Sequence, residues 1–347
     1  MFLIYITSGL FLGWSLGAND AANVFGTAVG TRMVSFRTAA IICSLFVILG
    51  AVVQGEGASD TLGALGAVNA LAGSFTVALA TGISVFWMTR SGLPVSTSQA
   101  IVGAIIGWNI YAGKPTDTAA LGQITLSWLM SPVLGALFAM GIYLLIKEIL
   151  LRSRIHLLKL DAYIRTALII VGAFGSYSLG ANNIANVMGV FVHSLNIPPF
   201  ELGPFNLSGT SQLFLLGGIA IAVGVFTYSH KIMNTVGKDL YELTSEAAIA
   251  AVLSHALVLF IFSSSQMQTW MLALGLPAFP LVPVSSSHTI VGAIVGIGLL
   301  KNPRNLRFSV LARIAMGWVI TPLAAGLLTF ISLFFMDNVF QQVVAWP

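Results

Sequence analysis

Long apolar stretches alternate with short polar segments along almost the whole chain. Ten of the stretches approach or exceed the length of about 20 residues that a helix needs to cross a bilayer. They lie at 2–30, 38–54, 67–89, 92–111, 120–147, 166–191, 208–229, 246–264, 279–300 and 309–336. Strands of a membrane barrel would instead give segments of about 10 residues with alternating polarity. The pattern predicts an all-α polytopic membrane protein.

The composition supports this prediction. Hydrophobic residues make up 57% of the chain and charged residues only 7%, whereas soluble domains carry about 25% charged residues. The single cysteine, Cys43, excludes a disulfide framework and a cysteine-based metal site. The first apolar stretch begins at Phe2 without a basic segment before it or a small-residue cleavage pattern after it, so we interpret it as a retained span and not a signal peptide.

The basic residues predict the orientation in the membrane. When the loops are placed alternately on two sides, 14 of the 15 Lys and Arg residues fall on one side, and only Lys114 falls on the other. The positive-inside rule makes the basic side cytoplasmic. We therefore expect a multi-pass protein of the plasma or inner cell membrane with both termini outside. The net charge of +4 reflects this topology and gives no indication of nucleic-acid binding.

The two halves of the chain repeat each other. "LGANDAANVFG" (16–26) and "LGANNIANVMG" (179–189) match at eight of eleven positions, and "PVSTSQAIVGAIIG" (94–107) and "PVSSSHTIVGAIVG" (283–296) match at ten of fourteen. An odd number of spans in each half predicts two inverted five-segment repeats with broken helices or hairpins at the midplane, which is typical of secondary transporters. The expected division is 1–150, a cytoplasmic linker at 151–165, and 166–347.

The first repeated motif places polar side chains inside an apolar span. Asp20 is costly there, by about 2.5–3.5 kcal/mol on insertion scales, so it requires a partner or a function. Hard cations such as Na⁺ prefer oxygen ligands, and a helix that unwinds at Gly17 would add backbone carbonyls. The candidate Na⁺ ligands are Asn19, Asp20, Asn23, Asn182, Asn183 and Asn186.

The second repeated motif follows a helix-breaking proline, Pro94 or Pro283, with a cluster of hydroxyl groups. A new helix that starts there presents free N–H groups and the positive end of its dipole, which favour an anion. His288 takes the place of Gln99 in the equivalent motif, so we expect it to face the site. The candidate anion-binding residues are Ser96, Thr97, Ser98, Gln99, Ser285, Ser286, Ser287 and His288.

These paired motifs closely resemble those of the inorganic phosphate transporter (PiT) family over essentially the whole chain. The resemblance implies a symporter that carries inorganic phosphate with Na⁺ or H⁺, and some relatives carry sulfate. It implies that Asp20, Asn23, Asn183 and Asn186 line the ion and substrate sites, and that Asp60 is a possible coupling carboxylate. The family usually has Asp where this chain has Asn183, so one membrane carboxylate is missing.

Several alternatives remain open from the sequence. A sulfate permease and an anion channel both fit the repeated motifs. An enzyme is disfavoured, because the sequence has neither a nucleophile motif nor a metal-ligand cluster. The intact first motif favours phosphate, because phosphate can donate a hydrogen bond to Asp20 and sulfate at neutral pH cannot. The oxygen-rich motifs favour Na⁺ over H⁺. His255 is expected to be a packed, hydrogen-bonded residue and not a proton relay. A homo-oligomer is possible.

Overall fold

The computed structural model describes residues 2–91, 95–153, 155–202, 205–239 and 243–346. Pro94, the predicted breaker of the first half, lies outside these residues. The first half forms α1 (Phe2–Gly30), α2 (Phe36–Gln54), α3 (Glu56–Leu65), α4 (Leu71–Arg90), α5 (Thr97–Ala112) and α6 (Thr118–Arg152). The second half forms α7 (Leu157–Val192), α8 (Gly209–Asp239), α9 (Ser245–Ser263), α10 (Ser265–Ala273), α11 (Ser286–Lys301) and α12 (Phe308–Asn338).

The predicted helical membrane fold is confirmed. Within the described residues, seven helices are long and apolar enough to cross a bilayer. Helices α5 and α11 are shorter, with 16 residues each, so each rises about 24 Å and does not span a hydrocarbon core of about 30 Å. Extended backbone at Ser96 and Ser285 precedes them. The predicted spans 92–111 and 279–300 therefore contain shortened helices that begin inside the protein.

Two segments between the predicted spans contain regular structure that the apolar stretches did not predict. Helix α7 begins at Leu157, inside the segment that was expected to be a linker, because 157–165 continues the helix that crosses the membrane. Between α7 and α8, β1 (Phe200–Leu202) and β2 (Phe205–Leu207) form a small antiparallel hairpin. A 3₁₀ turn at Pro303–Asn305 connects α11 to α12.

Helix packing in the first half recurs in the second half. Helix α1 packs on α8 as α7 packs on α2, and α5 packs on α12 as α11 packs on α6. Helix α4 lies between α1 and α12, and α9 lies between α7 and α6 in the same way. The halves are therefore equivalent in their contacts. The inverted orientation of the repeats and their boundaries at 150 and 166 stay predictions.

Gly17 does not break a helix, and the predicted unwinding there is wrong. Helix α1 is continuous through both Gly17 and Asp20, and α7 is continuous through Gly180. A Cβ atom on Gly17 would collide with the carbonyl of Ile221 in α8, and one on Gly180 would collide with the carbonyl of Val47 in α2. These glycines therefore allow two helix backbones to touch, which is how small residues act at membrane helix interfaces.

A second pair of glycines fixes the short helices. A Cβ atom on Gly103 of α5 would collide with the carbonyl of Pro322, and one on Gly292 of α11 would collide with the carbonyl of Pro132. Both prolines lie inside long helices, α12 and α6. Each short helix is thereby held closely against one long helix, so its N-terminus has a defined position.

Candidate functional site

The N-termini of α5 and α11 are capped in the same way. Ser96 Oγ accepts a hydrogen bond from the backbone N–H of Gln99 at 3.3 Å, and Ser285 Oγ accepts one from the N–H of His288 at 3.2 Å. Ser96 and Ser285 therefore act as helix caps. The N–H groups of the residues that follow have no acceptor within the helix and lie at the positive end of its dipole, which suits an anion.

Asn19 and Asn182 hold the segments that precede these N-termini. Asn19 Nδ2 donates to the carbonyl of Val95 at 3.2 Å, and Asn182 Nδ2 donates to the carbonyl of Val284 at 2.9 Å. Asn182 Oδ1 also accepts from the N–H of Val284 at 3.0 Å. We call the two copies of the first repeated motif, at 16–26 and 179–189, the signature motifs. The first asparagine of each signature motif, Asn19 or Asn182, thus holds the segment ahead of a short helix by side-chain hydrogen bonds and aligns α1 with α5 and α7 with α11.

Asp20 and Asn183 bring the two signature motifs together. Asn183 Nδ2 donates to Asp20 Oδ2 at 3.4 Å, and Asn19 Nδ2 donates to Asp20 Oδ1 at 2.9 Å. The Asp20 residue is only 2% exposed and Asn183 only 1%. Asp20 makes no ion pair with any basic side chain in the described part of the chain. An ionised carboxylate buried in this way requires a compensating cation or a proton.

Asn23 extends the cluster to the second half. Its Nδ2 donates to Ser286 Oγ at 2.9 Å, and His255 Nε2 lies 2.9 Å from the same oxygen. All three residues are buried. Helix α1 therefore contacts α11 through Ser286 and the segment ahead of α5 through Val95. The prediction that His255 is packed and hydrogen-bonded is confirmed, but the sequence did not identify Ser286 as its partner.

The equivalent pair of residues, Thr97 at the start of α5 and Asn186 in α7, carries unpaired oxygens. Within the described residues, neither Thr97 Oγ1 nor Asn186 Oδ1 has a hydrogen-bond partner, although both atoms are buried. Asn186 Nδ2 donates to Asn183 Oδ1 at 2.9 Å. Asn186 is linked to Asp20 through Asn183, and carboxylate, amide and hydroxyl oxygens are the ligands that a hard cation such as Na⁺ prefers. The described residues contain no group of three His, Cys, Asp or Glu side chains that could hold a metal ion.

His288 lies at one side of this cluster. Its Nδ1 is 3.0 Å from the carbonyl oxygen of Trp128, and its ring lies on Trp318 with centroids 3.8 Å apart. Four buried polar atoms here have no hydrogen-bond partner within the described residues: His288 Nε2, Gln99 Oε1, and the indole nitrogens of Trp128 and Trp318. The two tryptophans were missed in the sequence. A signal was present, because "SWLMSP" (127–132) and "GWVITP" (317–322) repeat a Trp four residues before each Pro.

The remaining predicted residues divide between the cluster and the surface. Thr97, Ser98, Gln99 and Ser287 are buried at or next to the helix N-termini. Asp60 lies on α3, is exposed, and is not part of the buried cluster. Its predicted coupling role stays a prediction.

Comparison with known proteins places this site in a family. The sequence profile described as "Phosphate transporter family" matches residues 16–329. A protein of Pyrococcus abyssi named "Putative phosphate permease" is 27% identical over 94% of this chain and 96% of its own length. A protein of the same description from Methanocaldococcus jannaschii is 30% identical over 92% of this chain and 93% of its own.

A solved structure shares the fold. This structure, described as "The sodium-dependent phosphate transporter", gives a TM-score of 0.76 at 22% identity, with 97% of this chain and 99% of the other covered. This family is a class of transporters and not of enzymes. The buried signature motifs, the membrane-spanning helices and the matched profile lead to one conclusion: the chain belongs to the phosphate transporter family.

Proposed function

We propose that this protein imports inorganic phosphate across the cell membrane by symport with Na⁺. The observation that carries the proposal is the position of Asp20. It is buried, faces Asn183 across the two halves, and makes no ion pair with a described basic side chain. A site of this kind gains stability from a cation, and a bound cation compensates for an anion that binds beside it.

The N-termini of α5 and α11 support phosphate as the anion. Their free N–H groups and the hydroxyl groups of Thr97, Ser98, Ser286 and Ser287 are neutral donors. Neutral donors hold an anion less tightly than an arginine pair would, which permits release. Phosphate keeps a proton that can be donated to the Asp20 carboxylate, whereas sulfate at neutral pH has none. This difference favours phosphate over sulfate.

Unpaired oxygen atoms in the buried cluster support Na⁺ as the coupling ion. Thr97 Oγ1 and Asn186 Oδ1 have no hydrogen-bond partner among the described residues, so both are candidate ligands in addition to the Asp20 carboxylate. The solved structure of the same fold is also described as sodium-dependent, although those words concern the other protein. A proton would need only Asp20 and would leave these oxygens without a role.

The equivalent halves support transport by alternating access. In this mechanism one set of helices rocks against the other around a central site. The basic loops support an orientation in which both termini lie outside and the basic segments face the cytoplasm.

Uptake into proteoliposomes tests the proposal. Purified protein is reconstituted, and labelled phosphate is added under an imposed Na⁺ gradient or an imposed pH gradient, with sulfate or arsenate as competitors. We expect saturable uptake that requires the Na⁺ gradient and is inhibited by arsenate more than by sulfate. Uptake that ignores Na⁺ and collapses when the pH gradient is dissipated would show H⁺ coupling. Preferred uptake of sulfate would overturn the substrate, and flux without a co-ion would indicate a channel.

A further inference from the structure

His255 forms the inner end of a buried chain of hydrogen bonds. His255 Nε2 is 2.9 Å from Ser286 Oγ, and the same oxygen accepts from Asn23 Nδ2 at 2.9 Å. His255 is 0% exposed and lies on α9, whereas Ser286 is at the first position of α11. The chain therefore links three helices and ends at a helix N-terminus that faces the proposed substrate.

The two neutral tautomers of His255 give Ser286 different capabilities. If Nε2 accepts, the Ser286 hydroxyl proton is used in that bond, and Ser286 can offer a ligand only a lone pair. If Nε2–H donates, Ser286 Oγ accepts from both His255 and Asn23, and its own proton is free to be donated to a ligand. The first arrangement suits a cation and the second suits an anion.

The other ring nitrogen decides between these arrangements. His255 Nδ1 is buried and has no hydrogen-bond partner in the described part of the chain. Among buried backbone groups an orphaned N–H donor is rarer than an under-satisfied acceptor, and the same preference is expected for an imidazole ring. The Nε2–H tautomer leaves Nδ1 as an unpaired acceptor, whereas the other tautomer leaves an unpaired N–H group in the core.

We infer that His255 is a positioning residue that donates from Nε2–H to Ser286 and thereby directs the Ser286 hydroxyl proton toward the transported anion. This inference rests on the proposed function for the identity of the anion, but the tautomer itself does not depend on it. The first half has no equivalent support, since Thr97 Oγ1 is unpaired among the described residues. The Ser286 hydroxyl proton in α11 is therefore already directed before the anion binds.

The tautomer can be read directly. Protein labelled with ¹⁵N-histidine is reconstituted in lipid, and solid-state NMR distinguishes protonated from unprotonated ring nitrogens. The chain has only five histidines, and the signal that disappears in His255→Gln is assigned to His255. We expect a protonated Nε2. A protonated Nδ1 would overturn the inference even if the protein imports phosphate, and this readout holds even if the protein transports another ion.

Kinetics test the connection through Ser286. We expect His255→Leu to raise the KM for phosphate by about tenfold, the order of a lost hydrogen bond to a charged ligand, with a small change in kcat. His255→Gln, whose side-chain amide reaches the position of Nε2, should restore most of the affinity. In a Ser286→Ala background, His255→Leu should have no further effect on KM. An equal rise in KM in that background would show that His255 does not act through Ser286.

A matched control separates this effect from a general loss of buried polar contacts on α9. Ser254 precedes His255, is also buried, and donates to the carbonyl of Gly135 at 2.7 Å, away from Ser286. Ser254→Ala should leave the KM for phosphate unchanged. If Ser254→Ala raises the KM as much as His255→Leu does, the effect comes from packing and the inference is wrong.

Discussion

The two halves of the site share one scaffold and differ in chemistry. We call Asn19, Asp20, Asn23 and 96–99 the first-half cluster, and Asn182, Asn183, Asn186 and 285–288 the second-half cluster. The hydrogen bonds of the serine caps measure 3.3 and 3.2 Å, and the hydrogen bonds from the asparagine side chains to the Val95 and Val284 carbonyls measure 3.2 and 2.9 Å. At the centre, however, a carboxylate on one side faces an amide on the other.

This difference separates the parts of the site that position from the parts that bind. The residues that are alike fix where the two helix N-termini lie. They are the capping serines, the asparagines that hold the segments ahead of the short helices, and the glycines that allow close helix packing. We expect the residues that differ, Asp20 against Asn183 and Gln99 against His288, to determine which ligand each half prefers. A carboxylate attracts a cation with several kcal/mol at a separation of a few Å, even at an effective dielectric constant near 20, whereas an amide offers only a dipole.

Removal of the Asp20 charge should have the largest effect. Asp20→Asn keeps the shape of the side chain and makes the two clusters alike at this position. We expect Na⁺-driven phosphate uptake to fall by at least about 100-fold, which corresponds to about 2.7 kcal/mol. Uptake into proteoliposomes at saturating Na⁺ measures the change.

The control for Asp20→Asn is a carboxylate far from the site. Asp161 is exposed and pairs with Arg165 at 3.2 Å on the surface of α7, so Asp161→Asn should keep wild-type uptake. If Asp20→Asn is inserted and folded and takes up phosphate with an unchanged dependence on Na⁺, Asp20 is not the coupling residue.

Substitutions at the tightly packed glycines should destabilise the protein equally in both halves. Gly103→Ala and Gly292→Ala each place a methyl group against a proline carbonyl in the facing helix. Overpacking of this kind costs about 1–3 kcal/mol, and backbone atoms cannot rotate away. We expect the two variants to lower the apparent unfolding temperature in detergent by similar amounts.

Two exposed glycines of α6 serve as controls for these variants. A Cβ atom on Gly122 or Gly141 would meet nothing within 4 Å, so Gly122→Ala and Gly141→Ala should be neutral or slightly stabilising. Loss of stability in only one of the two tight positions would show that the halves are not packed equivalently.

The sequence predicted what depends on local pattern. The apolar stretches predicted the helices, and a proline followed by a cluster of hydroxyl groups predicted the starts of α5 and α11. The unwinding at Gly17 was wrong because a glycine can either loosen a helix or allow close packing, and only the position of Ile221 distinguishes these roles. The sequence motifs alone do not reveal which partner a glycine contacts.

The missed residues depend on contacts between distant parts of the chain. His255 is 31 positions from Ser286, and Trp128 is 160 positions from His288. Contacts between residues so far apart along the chain leave no pattern in the local sequence. The repeat of Trp and Pro in α6 and α12 was visible, but without the structure nothing connected it to the site.

The hydroxyl groups that begin α5 and α11 should respond differently to truncation. Ser286→Ala leaves both Asn23 Nδ2 and His255 Nε2 without their shared partner, which costs about 1–3 kcal/mol. Thr97→Ala removes an oxygen that has no partner among the described residues. We expect Ser286→Ala to lower the unfolding temperature more than Thr97→Ala, while both raise the KM for phosphate. Equal losses of stability would mean that the Ser286 network contributes nothing to the fold.

The smallest expected effect comes from making the second half resemble the first. Asn183→Asp places a second carboxylate where Asn183 Nδ2 now donates to Asp20 Oδ2 at 3.4 Å. The two negative charges repel each other until a cation lies between them, so the free energy of cation binding becomes more favourable. The repulsion and the attraction partly cancel, and we therefore expect Na⁺ affinity to rise by only about tenfold, or about 1.4 kcal/mol. A cation held more tightly is released more slowly, so the maximal rate of uptake should fall. The Na⁺ concentration that gives half-maximal uptake, measured beside the maximal rate, tests both expectations. An unchanged Na⁺ dependence would mean that the difference between Asp20 and Asn183 does not make cation binding unequal in the two halves.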